Sequence, residues 1–373
     1  MSPMPRFGIA AVCLIALAGG FSATTAARAA TLVTGMNIVN PQRAKIDDQN
    51  ALIAQLHAAG VQVVRCGITN DDKGIDLAQR LKAAGIAIEL ILSPKYPPDA
   101  PKRAYQPQKY PEMWGGPPLS YADPQLSHAY YASLFAKLEA AGIPIVGFEL
   151  GNELNWTAFN PEFPLPGEGK SLGLDDLYHD PEGQQIAKGF VQYLKILREL
   201  KTVRDASQLY AHTPIITAGF VDAGPAGPRK SVLDNVALDA TLAFLRANGL
   251  DDLVDAYAVH TYPSGKLSPA AAKQRLYNLT LAACRPPGVA GGKPCWITEW
   301  GFPNADKDCP IDDAGRAALV REYMGFYHTL ADTGRLAGVM LFSWDSDPWS
   351  KTVDRDSVYR CGALTSAGQA ALH

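Results

Sequence analysis

The sequence predicts an α/β protein, a single (β/α)8 TIM barrel with long βα loops after its third and fourth strands. Three observations lead there. Eight short apolar runs alternate with amphipathic stretches, the sequence form of a parallel sheet with crossover helices. Several amphipathic stretches stop at a glycine where a left-handed cap is wanted. The 373 residues also exceed the roughly 250 of a typical barrel, and the excess falls mainly in two segments rich in Pro, Gly and aromatics. An open doubly wound sheet uses the same units, so alternation alone leaves closure undecided.

The chain opens with Arg6, the apolar stretch GIAAVCLIALAGGF and AARAA, which offers an Ala-x-Ala site at Ala27 to Ala29. Residues 1–30 therefore read as a cleaved secretory signal. Gly19, Gly20 and the Ser/Thr-rich tail leave the apolar stretch shorter than the roughly 20 residues a membrane span needs. Cys13 lacks the small preceding residue of a lipidated cysteine. The expectation is a secreted or periplasmic protein without stable membrane insertion, its single domain covering residues 31–373.

The expected strands are TLVTGMNIV from Thr31, VQVVRCGI from Val61, IAIELILS from Ile86 and IPIVGFELGNE from Ile143. PIITAGF from Pro214, VDAYAVHTY from Val254, PCWITEWG from Pro294 and LAGVMLFSWD from Leu336 complete the eight. Helical patterns between them include NALIAQLHAAG, LAQRLKAAG, YASLFAKLEAAG, GFVQYLKILREL, ATLAFLRANG and RAALVREYMGFYHTLADTG. The long segments are residues 93–125 and 157–183, and loops of that length are usually functional.

Charge excludes one class of partner. Without the signal's two basic residues the balance is 32 basic against 37 acidic, and nucleic-acid binding would want a clustered basic face. Five cysteines follow the signal: Cys66, Cys284, Cys295, Cys309 and Cys361. In an oxidising compartment, Cys284–Cys295 would close the turn-rich RPPGVAGGKP, Cys309–Cys361 would join two C-terminal loops, and Cys66 would stay free on a buried strand. Five reduced core cysteines are the alternative.

The stretch FELGNELNW places Asn152, Glu153 and Asn155 behind an apolar run, which a strand tolerates when it ends at an opening. In a barrel the chemistry comes from the C-terminal ends of strands, so Glu153 after strand 4 and Glu299 after strand 7 would face one cleft. Two carboxyl groups across a cleft are what glycosidic cleavage needs. A single strand-end Glu is more often a solvated loop carboxylate; two, each flanked by Trp, favour function.

ELGNELNW and CWITEWGFP resemble the acid/base and nucleophile strand ends of clan A glycoside hydrolases, with local wording similar to families 39, 5 and 79. The resemblance extends along most of the chain after the signal. It implies a retaining enzyme on a (β/α)8 barrel, with Glu153 as acid/base and Glu299 as nucleophile. It further implies Arg65 in VVRCG held against the nucleophile, His260 and Tyr262 in VHTYP approaching it, and Trp344 in LFSWD as a sugar platform. Asn152 would bind the sugar 2-hydroxyl. Families 39 and 79 commonly add a β-domain, and only about one helix of chain follows strand 8.

Other candidates have plain structural readings beside the functional one. Asn37 would bind a sugar hydroxyl or merely cap a loop. Trp300, Trp114, Trp156, Trp349, Tyr96, Tyr105 and Tyr110 would stack on sugars or simply pack. No His/Asp/Glu cluster stands at metal spacing, so no metal or other cofactor is expected. GKSLG (169–173) fits a G-x-S-x-G elbow but follows no strand. GEGKS lacks the first P-loop glycine. NWT and NLT at Asn155 and Asn278 are glycosylation sequons. The expected substrate is a β-linked polysaccharide or oligosaccharide. A carbohydrate-binding barrel without turnover is the alternative, with a serine hydrolase on Ser171 a distant third.

Overall fold

The computed structural model describes residues 32–110, 113–222, 233–262, 268–304, 313–345 and 356–373. The expected signal segment, Cys309 and Trp349 lie outside them. Within the described residues the sheet is built from β1 (Val33–Asn37), β2 (Val63–Gly67), β3 (Ala87–Leu92) and β4 (Ile145–Leu150). β5 comes in two pieces (Ile215–Ile216 and Phe220–Val221), followed by β6 (Tyr257–Thr261), β7 (Cys295–Trp300) and β8 (Leu336–Leu341). Neighbours pair in parallel and β8 returns to β1. The first piece of β5 pairs with β4 and the second with β6, which closes the barrel that alternation left open.

The helices longer than a single turn are α1 (Ile46–Ala58), α2 (Asp72–Ala83), α3 (Pro124–Ala140), α4 (Pro181–Ala206), α5 (Leu238–Ala247), α6 (Pro269–Ala283), α7 (Ala314–Asp332) and α8 (Ser366–Leu372). Asp71, Asp123 and Asp180 cap helix starts by accepting backbone N–H groups. Gly60 and Gly85, after α1 and α2, take φ of 78° and 76°, the left-handed turn that side chains resist. Of these longer helices, α6 is the one between strands that the sequence patterns above leave out. It buries only Ala272, Leu276 and Thr280, too thin a stripe for a clear period, although its Ser268-Pro269 start is a cap signal. No helix among the described residues is long and apolar enough to cross a membrane.

Side-chain alternation divides the core in two. Val63, Ile216, Ala258, Trp296 and Met340 fill the barrel interior. The opposite strand faces, with Phe148 stacked on Phe135 of α3, pack against the helices. Cys284 at the end of α6 is bonded to Cys295 at the start of β7. Cys66 is free and buried; Cys361 is disulfide-bonded, and its expected partner Cys309 is outside the described residues.

The two long loops are tied to each other. The Arg103 guanidinium donates to the carbonyls of Trp114 and Thr157 at 2.8 and 2.7 Å. Ser171–Leu172 pairs with Asn235–Val236, and the Ser171 hydroxyl donates to Asn235 Oδ1 at 2.9 Å. Ser171 thus sits in a short strand pairing rather than at a strand-to-helix elbow.

Candidate active site

The site stands where β2, β4, β6 and β7 end. Along β6 the period of two turns Ala258, His260 and Tyr262 towards one side. On β7 simple alternation fails: the register slips between Ile297 and Glu299. A bulge of this kind re-aims a side chain. It lets Thr298 and Glu299 both face inward while Trp300 turns out to the helices. There Trp300 is buried, edge-on to Tyr327 of α7 at 4.9 Å. Trp300 is therefore a core residue and not a sugar contact.

Arg65 is the hub. Its Nε and Nη2 donate to Glu149 Oε2 and Oε1 at 2.7 and 2.9 Å, and Nη1 donates to Glu299 Oε1 at 2.7 Å. Nη1 also reaches Asn37 Oδ1 at 2.7 Å, and Nη2 reaches Asn152 Oδ1 at 3.0 Å. Burial, the largest influence, pulls Arg65 down, but Glu149 and Glu299 carry it well above its ordinary value. Burial would likewise raise Glu149, and the paired guanidinium brings it below the usual carboxylate range. Tyr262 donates its hydroxyl to Glu299 Oε2 at 2.7 Å; burial and that carboxylate hold the phenol protonated.

Glu153 follows β4 with φ of 49°, a conformation that non-glycine residues adopt chiefly where surroundings enforce it. Its N–H donates to the Gly219 carbonyl at 3.0 Å. Oε1 lies 2.8 Å from His260 Nδ1, whose ring is 3.1 Å from Thr298 Oγ1 through Nε2. Burial raises the Glu153 carboxyl against the opposing pull of His260. Burial also depresses His260, but Glu299 and Glu153 outweigh it and raise the imidazole. The pair therefore keeps a proton to higher pH than ordinary values would allow. His260 is closer to Glu153 than to Glu299, whose Oε2 is 3.5 Å from Nδ1.

Two more sequence candidates are corrected. Asn37 is 3% exposed, its Oδ1 on Arg65 and its Nδ2 donating to the Thr298 carbonyl at 2.9 Å, so both polar atoms are spent fastening β1 to the hub. Trp344 is buried and stacked on Tyr359, ring centroids 5.4 Å apart, and offers no platform face. Asn155 is fully buried, its amide donating to the carbonyls of Val221 and Val236, which closes it to glycosylation. Asn152 differs. Its Oδ1 is taken by Arg65 while the residue lines a cleft of about 240 Å³ with Tyr96, Phe159 and Gly116. Beyond it, Tyr105 and Trp114 stack at an interplanar angle of 6° and are 55% and 45% exposed.

The sequence reading missed Glu149, Glu89 and Thr298. Polar residues at inward positions of β3, β4 and β7 were the available signal. Glu153, His260 and Glu299 bring one nitrogen or oxygen each within 4.8 Å of one another, a grouping that sequence spacing hides because separate strands supply it. Each of the three is already hydrogen-bonded within the network.

No protein-family model matches the chain, and no curated protein matches it. Solved structures do. A fungal β-1,4-galactanase is 14% identical over 91% of this chain and 94% of its own, with a TM-score of 0.54. A monomeric β-xylosidase from Caulobacter crescentus is 15% identical over 91% and 67%, at 0.54. The AHE enzyme from Alicyclobacillus herbarius is 13% identical over 91% and 96%, at 0.55. At these identities the likeness is one of fold: the chain is a (β/α)8 barrel of the architecture those structures share.

Proposed function

We propose that this barrel is an exported retaining glycoside hydrolase that cleaves β-linked polysaccharide or oligosaccharide chains by double displacement. The observation that carries the reading is the approach of Glu153 and Glu299, whose nearest oxygens lie within 4.8 Å of each other. Carboxyl groups about 5 to 5.5 Å apart accompany retention, and about 6.5 to 9.5 Å inversion.

Roles follow from the partners. Glu299, held by Arg65 and Tyr262, attacks the anomeric carbon as a carboxylate. Glu153, whose raised pKa keeps its proton available, donates it to the leaving oxygen and then takes one from the incoming water. Asn152 lines the neighbouring cleft, where a sugar hydroxyl would meet its amide. The exposed Tyr105–Trp114 stack beyond this cleft supports a long substrate and endo action, since flat apolar ring faces suit pyranose faces. The Cys284–Cys295 disulfide supports an oxidising compartment and thus export.

The test is reducing-end release from β-glucans, xylans, mannans, galactans and bacterial exopolysaccharides, with wild type, Glu299→Gln and Glu153→Gln side by side. Release by wild type with retained anomeric configuration, lost in both folded variants, is the expected result. Inverted product would sink the nucleophile assignment. Glycan binding without release from any substrate would favour a non-catalytic carbohydrate-binding barrel.

A further inference from the structure

Beneath the candidate site lies a carboxyl group that the chemistry above does not use. Glu89 of β3 is in register with Arg65 of β2, which is in register with Asn37 of β1. It is fully buried, its nearest cation is Arg65 Nε at 3.8 Å, and neither oxygen has a hydrogen-bond donor among the described residues. Arg65 has none to spare. A guanidinium carries five N–H groups, and these go to the two oxygens of Glu149 and to Asn37, Asn152 and Glu299. The titratable groups besides Arg65 that act most strongly on Glu89 are Glu149 and Glu299, with Cys66 beside it, and none of these brings positive charge; His260 stands behind Glu149, 3.9 Å from its Oε1. A carboxylate here would be a buried charge without a donor, an arrangement proteins avoid by neutralising the group. A carboxylic acid has one O–H to give, and the neighbouring Glu149 carboxylate can accept it.

We infer that Glu89 is a neutral carboxylic acid that donates its proton to a hydrogen bond with Glu149, and so acts through Glu149 and Arg65 as a positioning residue for Glu299. The protonation state stands on the burial and the hydrogen-bond accounting; the positioning role rests on the glycosidase reading. With Glu89 neutral, one guanidinium balances two carboxylates instead of three, and its Nη1 stays directed at the nucleophile. Burial and the neighbouring Glu149 both push the Glu89 carboxyl well above the ordinary range, in keeping with this assignment.

Infrared difference spectroscopy of wild type against Glu89→Gln in heavy water at neutral pH reads the protonation state directly. A protonated carboxyl C=O band present in wild type and lost in the variant is expected; its absence overturns the inference. Kinetics read the role. Glu89→Leu should lower kcat about tenfold, the fold-change of one hydrogen bond, with KM little changed. Glu89→Gln should recover most of that loss and keep the acid limb of the pH profile in place. An acid limb displaced to lower pH in Glu89→Gln would mean that a negative charge had been removed, and would overturn the assignment. If the infrared band is present but wild type cleaves no glycan, the glycosidase reading fails while the protonated Glu89 stands.

Discussion

Arg65 and Glu149 form a two-pronged pair inside the barrel, Nε to Oε2 at 2.7 Å and Nη2 to Oε1 at 2.9 Å, with side chains 2% and 0% exposed. Without Glu149 two N–H groups of the buried guanidinium lose their acceptors, while Glu299 still pairs with Nη1 at 2.7 Å. Glu149→Ala should therefore destabilise the protein by about 1 to 3 kcal/mol, the cost of buried polar groups left unsatisfied. Urea unfolding followed by far-UV circular dichroism checks this, and a loss below about 1 kcal/mol would show that water reaches the guanidinium.

His260 is one of the groups that pull the Glu153 carboxyl down against burial. Replacing it by Phe should let that carboxyl rise further. A general acid works while protonated, so the basic limb of kcat/KM should move to higher pH in His260→Phe. A limb that stays in place, or moves down, would detach His260 from the acid.

Among the described residues the Tyr262 hydroxyl is one of two hydrogen-bond donors on the Glu299 carboxylate, at 2.7 Å. A hydrogen bond to a charged group is worth about 1.5 to 3 kcal/mol. Tyr262→Phe should accordingly reduce kcat/KM by roughly 10- to 100-fold. Undiminished activity would assign the tyrosine to packing.

Gly219 lies between the two pieces of β5, and a Cβ there would fall 1.8 Å from His260 Nε2. Since ring and backbone cannot both stay, Gly219→Ala should displace the imidazole and lower activity to the level of His260→Ala. A crystal structure of the variant with His260 unmoved would contradict this reading.

The Cys284–Cys295 bond spans a sequence separation of 11. Chain-entropy reasoning assigns a loop of that size about 3 kcal/mol, and the Cys284→Ser/Cys295→Ser double variant should lose that much in thermal or urea unfolding. A loss near zero would mean that the loop is already ordered in the unfolded ensemble.

By itself the sequence determined the alternation of strands and helices, their glycine and aspartate caps, and the strand ends carrying Glu153, Glu299, Arg65, His260 and Tyr262. Those features are local, because side-chain period and cap chemistry act within a few residues. The tertiary structure decided what depends on pairing between distant strands. Closure came from the split β5, whose pieces take different neighbours. The register slip in β7 turned Glu299 inward and Trp300 outward, a shift invisible to strict alternation. Asn37 joined the hub through bonds to Arg65 and to the Thr298 carbonyl 261 positions away. Glu89 and Glu149 look like any polar residue in a strand until the barrel closes and leaves one guanidinium to serve the carboxyl groups around it. Donors and acceptors in a buried network are counted in space, and no sequence window contains that count.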